Sequence, residues 1–244
     1  MPRWTTLPGS RRIRLPLALT AAALTLTAAA VGGDRLVAVW AEHATAAAFQ
    51  EATGATDTPS VHIGGFPVTR QLLAGHLDRV TVHAGEIPAA GDRPVPLTRL
   101  DLRMTDVRAE SDPKTARAAT VDGTALLSYA DLSRALGVRV GADRAPGRVD
   151  VRTDLPLLGK VSASATLAVA GPTSIAFHEV HLDAHLPAAA DAALVQALEQ
   201  PITLRDLPAG MKVTRVRVDS AGVRGALTGR DVTFTPREQA GQAV

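Results

Sequence analysis

The sequence of 244 residues contains no cysteine, and this absence excludes several kinds of site. Disulfide bonds, thiolate metal ligands, a cysteine nucleophile and an N-terminal lipid-modified cysteine all require that residue. Aromatic residues make up only 3% of the chain, which argues against the stacking platforms that bind single-stranded nucleic acid. Hydrophobic residues make up 46%, which is enough for a packed core.

The common catalytic and nucleotide-binding motifs are also missing. The sequence has no Gly-x-x-x-x-Gly-Lys, no Gly-x-Gly-x-x-Gly, no Gly-x-Ser-x-Gly and no His-Glu-x-x-His. The nearest approach to a metal site is one face of a predicted strand that carries Glu179, His181, Asp183 and His185, where neighbours two residues apart lie about 7 Å apart. His181 and His185 are two such steps apart, so they could hold a metal only with ligands from elsewhere, and a metal-assisted hydrolase centred on them is one hypothesis. We expect no catalytic residue, no metal site and no cofactor.

Residues 1–33 differ in charge from the rest of the chain, because they carry four arginines and no acidic residue. Removing these four from the 26 basic residues leaves 22 against 24 acidic ones, so residues 34–244 have a net charge of −2. A basic start, an uncharged apolar run over residues 15–33 and small residues at its end are typical of an export signal or a membrane anchor. We expect residues 34–236 to form a single domain outside the plasma membrane, followed by a flexible tail over 237–244.

Hydrophobic periodicity predicts helices and antiparallel strands. Helical spacing appears over residues 34–53, 68–73, 128–136 and 187–200. Asp34 suits an N-cap if the leader is removed, whereas a retained leader would let the helix continue upstream. Alternation of apolar and polar residues predicts strands with one dry face around residues 80–84, 100–104, 149–151, 161–169, 180–186 and 216–218.

The dry faces of these strands consist mostly of Val, Ala and Leu, and the helices that could cover them are few. The long helix beginning near Asp34 is the expected partner of the sheet, which would curl around it. Two interpretations stay open for the part of the dry strand faces that this helix does not cover. Small helices could complete an ordinary core, or an uncovered apolar part could form a groove suited to acyl chains. The pattern alone favours the ordinary core, because exposed apolar grooves are uncommon on monomers.

The most distinctive stretch reads Val61-His62-Ile63-Gly64-Gly65-Phe66-Pro67 and is followed by Gln71-Leu72-Leu73-Ala74-Gly75. The glycine pair permits a sharp change of backbone direction, and a residue before proline is held extended. Together with Asp34-Arg35, residues 123–132 and Leu207-Pro208-Ala209-Gly210-Met211, this stretch resembles the actinobacterial LmeA-like family of cell-envelope phospholipid-binding proteins. Members of that family often have further bulky apolar residues after the proline, where this chain has Val68 and Thr69.

The resemblance implies an α+β fold of the tubular lipid-binding (TULIP or BPI-like) type, in which a curved antiparallel sheet wraps a long N-terminal helix. It also implies an exported, non-enzymatic protein that binds phospholipid at the membrane and supports envelope lipid or mannan-type lipoglycan assembly, with envelope glycosyltransferases as further partners. We expect six apolar residues to contact acyl chains: Phe66, Leu72, Leu73, Leu167, Phe177 and Leu182. The motif residues beside them are Gly64, Gly65, Phe66, Pro67 and Gly75. The alternative is an envelope scaffold that binds a protein partner through the same apolar surface without lipid.

Overall fold

The structure, a computed structural model, describes residues 14–88, 96–110, 115–155, 159–183, 192, 195–196, 199–203 and 207–234. Within these ranges, three helices have defined bounds: α1 (Arg14–Thr53), α2 (Val68–Leu73) and α3 (Tyr129–Leu136). The helices predicted over 34–53, 68–73 and 128–136 are therefore confirmed. The helix predicted over 187–200 falls largely outside the described residues.

The strands have the bounds β1 (Ser60–Gly64), β2 (His76–Ile87), β3 (Leu97–Ala109), β4 (Ala116–Ser128), β5 (Arg139–Ala142), β6 (Arg148–Leu155), β7 (Gly159–Gly171), β8 (Ser174–Asp183), β9 (Ile202–Thr203), β10 (Ala209–Asp219) and β11 (Gly222–Phe234). They form two antiparallel sheets. The first sheet has the order β1-β2-β3-β4-β11-β10, and the second has the order β5-β6-β7-β8-β9. The result is an α+β fold of open, curved antiparallel sheets with an N-terminal helix.

Helix α1 is 40 residues long and runs without interruption through Asp34. Of the two alternatives for the start of this helix, the structure has the one in which the helix continues upstream of Asp34. Asp34 therefore does not cap the start of its own helix. At the other end, Gly54 adopts a left-handed φ of 68° and its N–H donates to the Gln50 carbonyl at 2.8 Å, which ends the helix as predicted. None of the helices in the described part of the chain has both the length and the hydropathy that a membrane crossing requires.

The inner face of the first sheet is a closed hydrophobic core. Val82 is 1% exposed, Val121 is 1% exposed and Val232 is fully buried. Ala46 and Phe49 of α1 pack onto this core, while the main contacts of α1 are with β1 and α2 at one edge of the sheet. The interpretation as an ordinary core, which the sequence pattern favoured, therefore describes the first sheet.

The second sheet joins the first at the opposite edge, where β7 packs against β10. The Val213 N–H donates to the Pro172 carbonyl at 2.8 Å, and Ile175 packs against the core of the first sheet. Helix α3 connects the two sheets along the chain. Its N-cap is Ser128, whose hydroxyl oxygen accepts the Asp131 N–H at 3.1 Å, and the left-handed Gly137 ends it.

A β-bulge in β8 decides which of its residues share a face. Thr166 pairs with His178 and Ser164 pairs with His181, so two residues of β8 lie opposite one residue of β7. Glu179 adopts a left-handed φ of 51° at this point. Because the bulge shifts the alternation by one residue, Phe177 before it lies on the same face as Leu182 after it. The predicted strand agrees with β8 up to residue 183, and residues 184–186 lie outside the described part.

Candidate functional site

The six residues predicted to contact acyl chains fall into two groups at opposite edges of the first sheet. Phe66, Leu72 and Leu73 follow the edge strand β1. The other three, Leu167, Phe177 and Leu182, lie in the second sheet, which packs against the other edge strand, β10. Each group is therefore a separate candidate surface, and the role of each residue in lipid binding stays a prediction.

The second group lies on a continuous aliphatic face of the second sheet. Leu167 stands opposite Phe177, and Ala163 stands opposite both Val151 and Leu182 on its two neighbouring strands. We call the surface of these five residues the aliphatic face. All five are half-buried, whereas Val149, Val161 and Ala165 on the same face are buried. Half-buried apolar side chains keep solvent-accessible area that an apolar ligand can bury.

The opposite face of the same sheet is polar and internally paired. Arg148, whose side chain is 16% exposed, donates from Nε to the Ser164 hydroxyl at 2.8 Å and from a terminal nitrogen to the Glu179 carboxylate at 3.1 Å. The Ser164 hydroxyl donates to the Asp143 carboxylate, and this bond is the main reason that the pKa of Asp143 lies below its usual value. Arg148 therefore stabilises the sheet and is not free to bind a phosphate.

The histidines of the hydrolase hypothesis do not form a metal site in the described residues. Nδ1 of His181 lies 3.0 Å from a terminal nitrogen of Arg148 and 2.7 Å from the Glu179 carbonyl oxygen. His185 lies outside the described residues. Across the described ranges, no group of three His, Asp or Glu side chains could hold a metal ion.

The first group belongs to the turn and helix that follow β1, residues 64–73, which we call the corner. Strand β1 ends at Gly64, Gly65 adopts a φ of 101°, the Phe66–Pro67 peptide bond is cis, and α2 begins at the next residue. A Cβ at Gly65 would lie 2.4 Å from Nε2 of Gln71, and the positive φ disfavours any residue other than glycine. Gln71 is 5% exposed, and its Oε1 accepts the N–H of Asp78 at 2.8 Å.

Helix α1 holds the corner through two carboxylates on one of its faces. Oδ2 of Asp34 accepts the Val68 N–H at 3.0 Å, and Oδ1 accepts the Thr69 N–H at 2.7 Å. Two helical turns later, Oε1 of Glu42 accepts the Ile63 N–H at 3.0 Å. Ala38 and Ala41 lie between the two carboxylates and pack against Ile63 and Val68. Asp34 thus caps α2 from another helix.

The environment of Asp34 favours its charged form. The hydrogen bond from the Thr69 N–H lowers the pKa of this carboxyl most, the bond from the Val68 N–H lowers it further, and burial opposes both. Sequence reasoning missed this role, because an acidic residue ahead of a helical pattern looks like the cap of that same helix. The spacing of Asp34 and Glu42, with alanines between them, was the available signal for a buried helix face.

The three apolar residues of the corner differ in exposure. Leu72 is half-buried and packs against the cluster of Ile63 and Val68. Phe66 is 66% exposed and Leu73 is 86% exposed. The corner therefore presents two large apolar side chains to solvent.

A polar depression lies beside the C-terminal end of α2. Its volume is about 690 Å³, and its lining includes Gly75, His76, Asp78, Asp106 and Arg108. Arg108 donates two hydrogen bonds of 3.0 Å to the Asp106 carboxylate, and they lower the pKa of Asp106. With its arginine paired and its lining polar, this depression does not suit acyl chains.

Comparison with known proteins adds one match. A family model described as LmeA-like phospholipid-binding matches residues 32–228, which include the corner and the aliphatic face. No curated protein and no solved structure matches the chain. The resemblance inferred from the Gly-Gly-Phe-Pro stretch is thereby confirmed. The chain belongs to the LmeA-like phospholipid-binding family.

Proposed function

We propose that this protein is an exported, non-enzymatic phospholipid-binding protein of the cell envelope, and that acyl chains lie against its aliphatic face. The observation that carries the proposal is the family match over residues 32–228, since the family is one of lipid binding and not of catalysis. The half-buried state of Leu167, Phe177 and Leu182 supports the location. An acyl chain gains about 0.8 kcal/mol for each methylene that it buries on such a surface.

The other described surfaces suit acyl chains less well. The core of the first sheet is closed at Val82 and Val121, so a chain would have to displace fully buried side chains there. The depression beside α2 is polar, with Arg108 bound to Asp106. The aliphatic face combines apolar composition with accessible area, as a tubular lipid-binding fold would require.

We further propose that residues 1–33 direct the chain out of the cytoplasm, as a cleaved signal or a retained anchor. The four arginines ahead of the apolar run support this role. In the envelope, a protein that holds phospholipid would serve lipid or mannan-type lipoglycan assembly, alongside glycosyltransferases that act there.

Two neighbouring residues on opposite faces of β7 give a matched test of the lipid site. Leu167→Asn places an amide on the aliphatic face, whereas Thr166→Asn places the same amide on the polar face. The full chain and both variants are incubated with phosphatidylglycerol vesicles, separated from them, and extracted for quantification of phospholipid. We expect wild type and Thr166→Asn to retain phospholipid and Leu167→Asn to lose it, with unchanged circular dichroism. Equal retention by the two variants would contradict the assignment.

The second candidate is an envelope scaffold that binds a protein. It is favoured by the outer side of α1, where Leu36 is 75% exposed and Trp40 is 69% exposed. Extraction separates the two candidates, because a scaffold would carry no phospholipid either as purified or after incubation with vesicles.

A further inference from the structure

We propose that the corner is a membrane-docking surface, in which Phe66 and Leu73 insert into a phospholipid bilayer and Arg70 contacts its acidic headgroups. The proposal rests on the proposed function, because it assigns the bilayer as the source or destination of the bound lipid. It gives Phe66 and Leu73 a different task from that of the aliphatic face: they contact the membrane and do not line the site of the carried lipid.

Packing and hydrogen bonds fix the backbone that exposes Phe66 and Leu73 to solvent. The backbone on both sides of Phe66 is held in place, because Gly65 packs against Gln71 and the first N–H groups of α2 bond to Asp34. Leu73 ends the same short helix, whose inner side is anchored by the buried Val68. A fixed surface of this kind presents its apolar area to a partner without a further loss of conformational entropy.

The corner carries two arginines that an acidic bilayer surface would attract. Arg70 lies between Phe66 and Leu73 in the chain and is exposed, and Arg79 is exposed opposite Gly64 on β2. The exposed carboxylate of Asp78 also lies beside Gly65, but neither arginine forms a salt bridge with it or with another described residue. Unpaired arginines beside exposed apolar side chains are the combination that binds acidic membrane interfaces.

The course of α1 places the corner beside the apolar leader. Helix α1 is continuous from residue 14, and the uncharged apolar run ends at Gly33, one residue before Asp34. Asp34 is the residue that bonds to the start of α2. The most apolar segment of the chain therefore approaches the folded part at the corner, and this segment is also suited to a lipid environment.

The absence of cysteine allows a direct test on the full chain. Single substitutions Phe66→Cys and Leu73→Cys are labelled with an environment-sensitive fluorophore. Arg217→Cys, which is exposed on the edge strand β10 at the other side of the first sheet, serves as the reference. The labelled proteins are mixed with vesicles of phosphatidylcholine and phosphatidylglycerol. Every variant keeps the leader, so attachment through the leader is the same for all of them.

We expect labels at positions 66 and 73 to shift their emission to the blue and to be quenched by lipids that carry a quencher on the acyl chain, with no change at position 217. Arg70→Glu should raise the lipid concentration at the half-maximal shift about tenfold, whereas Arg217→Glu should leave it unchanged. Unchanged emission at 66 and 73 would overturn the proposal, whatever the reference label does.

Phospholipid extraction from the same preparations separates this proposal from the proposed function. If phospholipid is recovered while the labels at positions 66 and 73 keep their emission, docking through the corner is refuted and the proposed function is not. Shifted corner labels without recovered phospholipid would refute the carriage of lipid and leave the bilayer contact standing.

Discussion

Three glycine-to-alanine substitutions test how the corner is built. Gly65 has a φ of 101° and its added Cβ would meet the Gln71 side chain at 2.4 Å. Gly75 has a φ of 72° but no atom within 4 Å of its added Cβ. Gly141 in β5 has neither a positive φ nor such a neighbour. Gly65→Ala therefore combines backbone strain with a steric clash, and Gly75→Ala introduces backbone strain alone. Gly141→Ala introduces neither and serves as the reference.

The expected losses of unfolding free energy follow from these contacts. Gly75→Ala should cost about 1–2 kcal/mol, since an alanine must adopt a left-handed conformation there. Gly65→Ala should cost about 2–5 kcal/mol, because it adds the displacement of Gln71 and the loss of the hydrogen bond to the Asp78 N–H. Gly141→Ala should stay within about 0.5 kcal/mol of wild type.

Urea unfolding followed by far-ultraviolet circular dichroism measures these differences. Thermal unfolding gives a second readout, in which Gly65→Ala should lower the Tm by about 5–15 °C. If Gly65→Ala and Gly75→Ala were equally destabilised, the packing of Gln71 against Gly65 would not be what restricts this position. If Gly65→Ala matched Gly141→Ala, the described backbone of the corner would be wrong.

Three further predictions concern the core, a helix cap and the polar face of the second sheet. Val82→Ala should cost about 2–3 kcal/mol by leaving a cavity in the closed core, whereas Leu73→Ala, at an 86% exposed site, should change the unfolding free energy by no more than about 0.5 kcal/mol. The lowered pKa of Asp34 means that its carboxylate stabilises the fold above the unfolded value of about 3.9 and that this contribution is lost as the pH falls through the folded pKa. The difference in Tm between wild type and Asp34→Asn should accordingly narrow as the pH is lowered below about 4, and a constant difference would exclude the carboxylate as the cause. Arg148→Met should cost about 2–4 kcal/mol in urea unfolding, because it leaves the acceptors around it unpaired, while Arg134→Met, at a 75% exposed side chain, should cost about 0.5 kcal/mol or less.

Local signals in the sequence were enough for the described helices and for several strands. Ser128 and Gly137 mark the two ends of α3, and Gly54 marks the end of α1, because each supplies a cap or a left-handed turn at its own position. Alternation identified the dry faces of β2 and β3, where Val82 and Leu102 are buried as predicted.

Features that depend on distant parts of the chain could not be predicted in the same way. Alternation shows which face of a strand is dry but not which strands pair, so the division into two sheets was missed. Asp34 bonds to α2 across more than thirty residues, and nothing near Asp34 indicates that contact. The bulge at Glu179 places Phe177 and Leu182 on one face, although the two are an odd number of residues apart.

The predicted lipid contacts show the same limit. Leu167, Phe177 and Leu182 were expected to contact acyl chains, and the structure gathers them on the aliphatic face. Phe66 and Leu73 were expected to do the same, and they are exposed on the corner, because α2 buries Val68 and Gln71 instead. Hydrophobicity indicates that a residue avoids water, but only the tertiary packing decides whether it is covered by the protein itself.

Native mass spectrometry of the protein tests the central claim most directly. The chain is expressed with its leader, purified without detergent, measured intact, and then extracted with organic solvent to identify any bound lipid. We expect a stoichiometric phospholipid on the protein, either as purified or after incubation with vesicles. A mass without lipid under both conditions would contradict phospholipid binding by this chain and would favour the scaffold that binds a protein.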